Sequence, residues 1–401
     1  MMNRIYMDHS ATTPVTERAL EAMLPWFREE FGNPSAIYDY GQHAKNKLEE
    51  CRKRIAKCLG AFQTEIFFTS GGTESDNWVI RSFCRANAAK GKHIITSAIE
   101  HNAILRTLKQ MEEDGFEVTY LQPDSFGHIS SEQLEAAIRP DTILITIMLA
   151  NNVVGTVLDI PSLAKTAAKH HIKMHTDAVQ AVGHIPIHVR KLGVDFLSLS
   201  AHKFGGPKGV GAIYCRVPNR LPALLTGGGQ ERELRSGTEN VAGIVGMTAA
   251  LEEAIEDMDQ ENLRLTKLRD CIIEKACSIP GVALTGDPAN RLPGFASFTV
   301  EGIGHSAYLV NSLNEVGISV SSGSACSAAS REASHVLLAL GYDAKHASSS
   351  LRISLGKDNN DEQVNYLLNV LPDIIMKLRI EYAKNPTMIY SDLPQPPDLF
   401  D

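Results

Sequence analysis

Two charged side chains, Asp177 and Lys203, each follow a predicted apolar strand, where open α/β sheets collect their ligands. Asp177 follows Lys173–His175, and a carboxylate buried there needs a cationic partner such as a protonated ring nitrogen. Lys203 follows Phe196–Leu199 and precedes a Gly/Pro turn, so a partly desolvated amine could act as a nucleophile. The spacing of 26 residues (203 − 177) leaves room for one helix and one strand, which would let both side chains reach one ligand. The alternatives are a helix N-cap for Asp177 and a surface loop lysine for Lys203.

A glycine-rich turn, Ser70-Gly71-Gly72-Thr73-Glu74, lies between a predicted strand and a predicted helix. Glycines allow an anion to approach the backbone, and the first helical turn offers unpaired N–H groups and the positive end of the helix dipole. The Thr73 hydroxyl adds a donor. The turn therefore suits a phosphate, although a plain N-cap by Ser70 or Thr73 explains the same residues.

One cysteine, Cys326, stands in a segment of small residues, Ser319-Val-Ser-Ser-Gly-Ser-Ala-Cys326-Ser-Ala-Ala-Ser330. Such a segment predicts a loop, about 319–332, that displays a thiol with little steric cover. An inert loop thiol is the alternative. The other cysteines lie in apolar or amphipathic stretches and are predicted to be small core or surface residues; they are Cys51, Cys58, Cys84, Cys215, Cys271 and Cys277.

Helical and strand-like segments alternate along the first part of the chain, which predicts an α/β fold with a mostly parallel sheet between helices. The predicted strands are Ile66–Thr69, His93–Thr96, Glu117–Leu121, Ile143–Leu149, Lys173–His175, Phe196–Leu199 and Val210–Cys215. The predicted helices include Leu48–Leu59, Asn77–Ala86, Ser131–Ile138, Pro161–His170, Met247–Ser278 and His335–Leu340.

The pattern changes after about residue 245, where a long helical stretch and shorter strands such as Phe295–Val300 and Gly317–Val320 follow. This change predicts a large domain over 15–258. A smaller α+β domain would comprise 1–14 and 259–401 and carry the cysteine loop. The proline-containing tail, 385–401, is expected to pack loosely or to order on a partner.

Composition and charge exclude several classes of protein. The chain has 401 residues, 43% of them hydrophobic and 21% charged, which is ordinary for a globular protein. The net charge of −8 gives no basic excess for nucleic acid or anionic lipid. The beginning of the chain has no apolar signal-peptide core, and no apolar run is long enough to span a bilayer, so the expected location is the cytoplasm. No spacing typical of a metal site or of a nucleotide P-loop occurs.

Taken in order and spacing, the motifs resemble the cysteine desulfurases of the NifS/IscS type over nearly the whole chain. The matching stretches are Asp8-His-Ser-Ala-Thr-Thr-Pro14, Gly32-Asn-Pro-Ser35, Phe68-Thr-Ser-Gly-Gly-Thr-Glu-Ser75, Glu100-His101, Ala150-Asn-Asn152, Asp177-Ala-Val-Gln180, Ser198-Leu-Ser-Ala-His-Lys203, Gly227-Gly-Gly-Gln-Glu231, Arg235-Ser-Gly-Thr-Glu-Asn240, Ser321-Ser-Gly-Ser-Ala-Cys326 and Ser350-Leu-Arg-Ile-Ser354. The resemblance implies the fold-type I architecture of pyridoxal phosphate enzymes and a homodimer.

The resemblance also implies a role for each matching residue. Lys203 would hold pyridoxal 5'-phosphate as a Schiff base, and Asp177 would keep the pyridine nitrogen protonated so that the ring can accept electrons. Gln180 and His101 would contact the ring hydroxyl and the ring face. The residues expected around the phosphate are Gly72, Thr73, Ser200, His202 and, from the other subunit, Thr238. Asn152 and Arg352 would hold the substrate carboxylate.

The implied reaction is removal of sulfur from L-cysteine to give L-alanine and a persulfide on Cys326, with Lys203 moving the Cα proton and His101 as a candidate base for the thiol. The sulfur would pass to an acceptor such as an iron–sulfur scaffold protein of the IscU/NifU type, with which Cys326 could transiently ligate a cluster. No resident metal is expected. A selenocysteine lyase or an aminotransferase on the same fold is the alternative, and a non-catalytic binding subunit is a more distant one.

Overall fold

The structure is a computed structural model that describes residues 4–217, 219, 221–323 and 333–385. Its strands are β1 (Ile5–Tyr6), β2 (Ile66–Thr69), β3 (His93–Ser97), β4 (Glu117–Leu121), β5 (Thr142–Thr146), β6 (Lys173–Asp177), β7 (Phe196–Ser200), β8 (Gly211–Cys215), β9 (Val282–Leu284), β10 (Phe295–Val300), β11 (Ile318–Ser319) and β12 (Ser350–Ser354). Cys326 and the tail from 386 onward lie outside the described residues, so the predictions made for them stay predictions.

The helices are α1 (Glu17–Met23), α2 (Pro25–Arg28), α3 (Asp39–Leu59), α4 (Gly72–Asn77), α5 (Cys84–Asn87), α6 (Asn102–Glu113), α7 (Ser131–Ala137), α8 (Ile160–Lys169), α9 (Val189–Leu192), α10 (Val241–Glu256), α11 (Met258–Cys277), α12 (Ser306–Glu315), α13 (His335–Ala339), α14 (Ala344–Ser348) and α15 (Asp361–Lys384). Short 3₁₀ turns occupy Gln63–Glu65, Ala201–Lys203 and Glu231–Glu233. A wider π-helical stretch, Trp78–Phe83, joins α4 to α5.

Seven strands form the central sheet in the order β2-β8-β7-β6-β5-β3-β4. Strands β3 to β7 pair in parallel, and only β8 runs antiparallel to its neighbours β2 and β7. The predicted α/β fold with a mostly parallel sheet is confirmed. Because β6 and β7 are parallel neighbours, the residues after Asp177 and Ser200 emerge at the same edge.

The two faces of this sheet are covered by different helices. Side chains such as Met174 and Leu197 pack with α3, α8 and α10, whereas Phe196 packs with the residues of α4 to α6 on the other face. Side chains alternate along a strand, so His175 and Asp177 face the α4–α6 side, opposite to Met174. On the face of the sheet that carries α4 to α6, the side chains at the carboxyl ends of the strands are polar. These polar side chains lie next to the cavity described below.

A second apolar cluster lies around the three-stranded antiparallel sheet β12-β10-β9 and the helices α11, α12 and α15. It also includes Met7, from the segment that pairs in parallel with β11. The early chain and the late chain thus share one core. The predicted domain limits, 15–258 against 1–14 and 259–401, stay a prediction.

The prediction of one long helix over Met247–Ser278 is wrong, because two helices meet at Asp257. Lys357 donates to both Glu253 and Asp257, at 2.7 and 2.8 Å, and fixes this joint. Helix α10 packs against the core of the seven-stranded sheet, and α11 packs against the core of the three-stranded sheet. Because one straight helix cannot pack against both cores, the chain bends at Asp257. Helix α3 also begins earlier than predicted, at Asp39, because its first turns carry too few apolar residues to show the period.

The described helices include none that combines the length and the apolar character needed to cross a membrane.

Candidate active site

A cavity of about 500 Å³ opens at the carboxyl ends of β5, β6 and β7, between the first turn of α6 and strand β12. Most of the residues singled out from the sequence line it: Gly72, Thr73, His101, Asn152, Asp177, Gln180, Ser200, His202, Lys203 and Arg352. Thr238 is exposed and does not line this cavity within its own chain. The structure therefore brings ten candidates together, leaves one outside, and does not describe Cys326.

The Lys203 amine is held by the N-terminal segment. It donates to the Ala11 carbonyl at 3.0 Å and to the Ser10 carbonyl. Gln180 donates its amide to the same Ser10 carbonyl at 2.9 Å. The stretch from Asp8 to Pro14 is thus part of the site, a role that the sequence analysis did not assign to it. Its only sequence signal was the matching motif.

Asp177 is 6% exposed, and its Oδ1 accepts the Val179 N–H at 2.8 Å. Burial raises the pKa of Asp177, and the nearby Lys203 amine and the Val179 hydrogen bond offset only part of this effect. One carboxyl oxygen is therefore fixed by the backbone. A buried acid of this kind suits a cationic ring nitrogen, which would stabilise the ionised form.

The glycine turn forms the anion end of the cavity. A Cβ on Gly72 would lie 2.5 Å from Cγ2 of Val179, so only glycine fits there. Gly72, Thr73, Ser200 and His202 also line an adjoining space of about 350 Å³ with Lys208. Burial and the two lysines, Lys203 and Lys208, lower the pKa of His202 to about 4, so the ring is a neutral donor at pH 7. These donors and Lys208 suit a phosphate.

Arg235 supports this turn from outside. Its guanidinium donates to both carboxylate oxygens of Glu74, at 2.7 and 3.0 Å, and Glu74 accepts the Ser70 N–H at 3.0 Å. The bidentate ion pair between Arg235 and Glu74 therefore holds the glycine-rich turn in place. It also compensates the negative charge of Glu74 near the anion site. Thr238 follows only three residues later.

His101 caps α6: its Nδ1 accepts the Ala103 N–H at 3.1 Å. In the neutral ring the proton then resides on Nε2. Because Nδ1 is occupied as an acceptor, Nε2 must lose its proton before it can accept another. Its predicted role as the base for the thiol stays a prediction.

Arg352 is 2% exposed, and its guanidinium is bonded within the chain. It donates to the carbonyls of Asn152 and Gly323, at 2.8 and 2.9 Å, and to the Asp8 carboxylate at 2.7 Å. Its Nε has no hydrogen-bond partner among the described residues. The guanidinium thus joins the N-terminal segment, the segment after β5 and the start of the cysteine loop, and it lines the cavity.

Two further buried acids, Asp76 and Glu100, were missed by the sequence analysis. Glu100 is fully buried, and its Oε1 accepts from the Ser97 hydroxyl at 2.5 Å and from the Met148 N–H at 3.0 Å. Asp76 lines the cavity and is 1% exposed. An acidic residue within a helix is normally predicted to be exposed. The sequence around Asp76 therefore gave no indication that it is buried.

Glu100 gives a pH-dependent prediction. Burial raises its pKa to about 8, so between its ordinary pKa and pH 8 the folded chain keeps a proton that the unfolded chain has lost. Stability therefore falls as pH rises through this window. We expect Glu100→Gln, which has no proton to lose, to remove about 2 kcal/mol of the fall between about pH 6 and 7.5. Denaturant unfolding of both proteins at the two pH values measures this, and equal falls would contradict it.

The residues present fit pyridoxal phosphate. A phosphate suits the glycine cradle at Gly72, which a Cβ would fill, and a protonated ring nitrogen suits the buried Asp177. Lys203 lines the same cavity with its amine. Among the described residues, no cluster of three His, Cys, Asp or Glu side chains is arranged to hold a metal ion.

Comparison with known proteins gives matches over almost the whole chain. Residues 5–367 match the aminotransferase class-V family. A protein named cysteine desulfurase IscS from Methanosarcina thermophila is 51% identical over 376 residues, 94% of this chain and 93% of that protein. Another of that name, from Dictyoglomus turgidum, is 49% identical over 380 residues, 94% of this chain and 96% of that protein.

Solved structures agree with these relatives. One titled as a NifS-like protein has a TM-score of 0.88 at 39% identity, over 93% of this chain and all of that one. Another, titled as SspA in complex with cysteine, has a TM-score of 0.78 at 39% identity, over 88% and 98%. The resemblance stated from the motifs is confirmed. The chain belongs to the class-V aminotransferase family and, within it, to the cysteine desulfurases.

Proposed function

We propose that this chain is a pyridoxal phosphate-dependent cysteine desulfurase that converts L-cysteine to L-alanine and keeps the sulfur as a persulfide. The observation that carries the proposal is the single cavity in which Lys203, Asp177 and Arg352 meet. A lysine, a buried acid and a carboxylate-binding arginine are what an amino acid reaction on this cofactor requires. The relatives that share the motifs are named for the same activity.

The chain's own residues divide the work. Bound pyridoxal phosphate supplies an electron sink, and Asp177 favours it by holding the ring nitrogen protonated. Arg352 and Asn152, which both line the cavity, orient the carboxylate of L-cysteine. Lys203, with its amine against the Ser10 and Ala11 carbonyls, holds the cofactor and moves the Cα proton.

Cys326 is proposed as the sulfur acceptor. Its thiolate attacks the substrate sulfur, the carbon–sulfur bond breaks, the Cβ of the product takes a proton, and Cys326 keeps an S–S–H group. Cys215 and Cys58 are poor alternatives, because burial raises the pKa of Cys215 to about 12 and that of Cys58 to about 11. A thiol that stays protonated is a weak nucleophile.

The remaining proposals concern assembly and context. We propose a homodimer, in which Thr238 reaches the phosphate of the partner's site. The exposed apolar side chains of segment 20–40 favour this; Phe31 is 66% and Ile37 is 93% exposed. We also propose that the enzyme works in the cytoplasm and delivers sulfur to an iron–sulfur scaffold protein or another acceptor.

The test uses Cys326→Ala with L-cysteine and a dithiol reductant. In the wild-type protein, alanine and sulfide should form in equal amounts, because the dithiol reduces each persulfide to thiol and sulfide and becomes a disulfide. We expect the variant to lose at least about 100-fold in both products, since it lacks the nucleophile. Cys277→Ala, at an exposed cysteine, is the matched control and should not change either product.

The two alternatives predict other results. A selenocysteine lyase would release selenium from selenocysteine in Cys326→Ala about as fast as in the wild-type protein. An aminotransferase would need an added oxo acid; it would convert that acid to its amino acid and L-cysteine to 3-mercaptopyruvate, and it would form neither alanine from cysteine nor sulfide. Either pattern would overturn the desulfurase proposal.

A further inference from the structure

A row of buried polar side chains crosses the sheet beneath the cavity. The Thr96 hydroxyl donates to the Thr146 carbonyl at 2.9 Å, and the Thr146 hydroxyl contacts His175 Nδ1 at 2.8 Å. His175 Nε2 contacts the Ser198 hydroxyl at 3.0 Å. All four residues are fully buried and come from the neighbouring strands β3, β5, β6 and β7. This polar row ends next to Asp177, which pairs with Ser198 across the sheet.

Asp76 lies at the end of the polar row and also lines the cavity. Its Oδ1 is 3.7 Å from His175 Nε2 and has no hydrogen-bond partner among the described residues. A fully buried carboxylate left with an unpaired oxygen would be costly, whereas a protonated one needs fewer partners.

The charges around Asp76 favour the protonated form. The Asp177 carboxylate raises its pKa further beyond the effect of burial, and hydrogen bonding with the Ser198 hydroxyl offsets only part of this. Burial lowers the pKa of His175 to about 3, so that ring is neutral and supplies no counter-charge. Three lysine and arginine side chains line the cavity: Lys203 and Arg352 are bonded to the N-terminal segment, and Arg106 is exposed.

We propose that Asp76 is a protonated carboxylic acid that acts as a positioning residue for Asp177. With Asp76 neutral, Asp177 alone supplies the negative charge that would hold a protonated ring nitrogen, and its Oδ1 is already fixed by the Val179 N–H. A second carboxylate there would repel the first and pull in water. The inference rests on the cofactor site proposed above, but it concerns the protonation of this chain's own side chains.

Infrared spectroscopy of the cofactor-loaded protein at pH 7 tests this directly. We expect a carbonyl band of a protonated carboxyl group that shifts when the aspartates are isotopically labelled and disappears in Asp76→Asn. Glu100 also holds a proton, so its band is the internal control: it should survive aspartate labelling and disappear in Glu100→Gln. Absence of a label-sensitive band in the wild-type protein would overturn the proposal, whether or not any variant folds.

Cofactor binding gives a second readout that does not depend on turnover of cysteine. Asp76→Ala should weaken the Kd for pyridoxal phosphate about tenfold, because it leaves buried groups of the polar row unsatisfied. Asp76→Asn keeps the shape and the neutral charge, and should restore the Kd to within about twofold of the wild-type value. If Asn weakens binding as much as Ala, a neutral side chain of the same shape does not replace Asp76, and the proposal fails. The two proposals can fail separately. If the infrared band and the Kd values behave as expected but the wild-type protein does not desulfurate L-cysteine, only the proposed function fails.

Discussion

Lys203→Ala is expected to lower alanine formation from L-cysteine by about 10³-fold or more, because one amine both holds the cofactor and moves the Cα proton. The visible absorbance band of the bound cofactor should change or vanish in the variant. Turnover is measured at saturating pyridoxal phosphate, so that weaker binding is not mistaken for lost chemistry. Retention of more than a tenth of the wild-type rate would contradict the assignment.

Two comparisons make this result specific. A small primary amine added to Lys203→Ala should restore part of the turnover, because it can enter the space left by the side chain and take up the proton. Lys191→Ala is the matched control: this lysine is exposed at the end of α9 and should leave turnover unchanged. Failure of every amine, together with loss in the control, would indicate general damage.

The buried ion pair of Arg52 and Glu231 carries the second large prediction. Arg52 Nη1 and Nη2 donate to the two carboxylate oxygens of Glu231, both at 2.7 Å, and the guanidinium lies 4.5 Å from the centre of the Phe68 ring. Arg52→Met leaves the Glu231 carboxylate buried without its bidentate cationic partner. We expect a loss of about 3–5 kcal/mol in the free energy of unfolding, measured by denaturant titration.

A double variant and a neighbouring residue serve as controls. Arg52→Met with Glu231→Gln removes the stranded charge, keeps an acceptor for the Phe68 N–H, and should recover part of the loss. Arg54 lies on the same helix as Arg52 and forms partly exposed pairs with Glu50 of α3 and Glu252 of α10, so Arg54→Met should cost about 1 kcal/mol or less. Equal losses at positions 52 and 54 would contradict the role of burial.

Several elements were predictable because their signals are local. The strands at 66–69 and 117–121 follow from short apolar runs between turn residues, and their limits are the observed ones. Asp177 and Lys203 were found because each follows such a run. The joint at Asp257 was not predicted, since the apolar period continues across it and only the two separate cores require the break.

The buried acids show the limit of local signals. Glu100 and Asp76 are acidic residues in stretches that mix polar and apolar side chains. Nothing in the neighbouring sequence indicates that both are buried. The ion pair of Arg352 with Asp8 joins residues 344 positions apart. The Arg352 motif predicted a carboxylate site, but not that the same fork also holds the Gly323 carbonyl.

By itself, the amino-acid sequence determined the α/β class, the order of strands and helices, the strand ends that carry Asp177 and Lys203, and the family. All four can be predicted from the periodicity of apolar side chains and from short sequence motifs. Both signals are contained within a single helix, strand or turn. The tertiary structure decided that the N-terminal segment covers Lys203, that Arg352 is bonded to Asp8, and that Asp76 lies buried beneath the cavity. Such contacts depend on how elements distant in sequence pack together, and burial then sets which acids keep their protons.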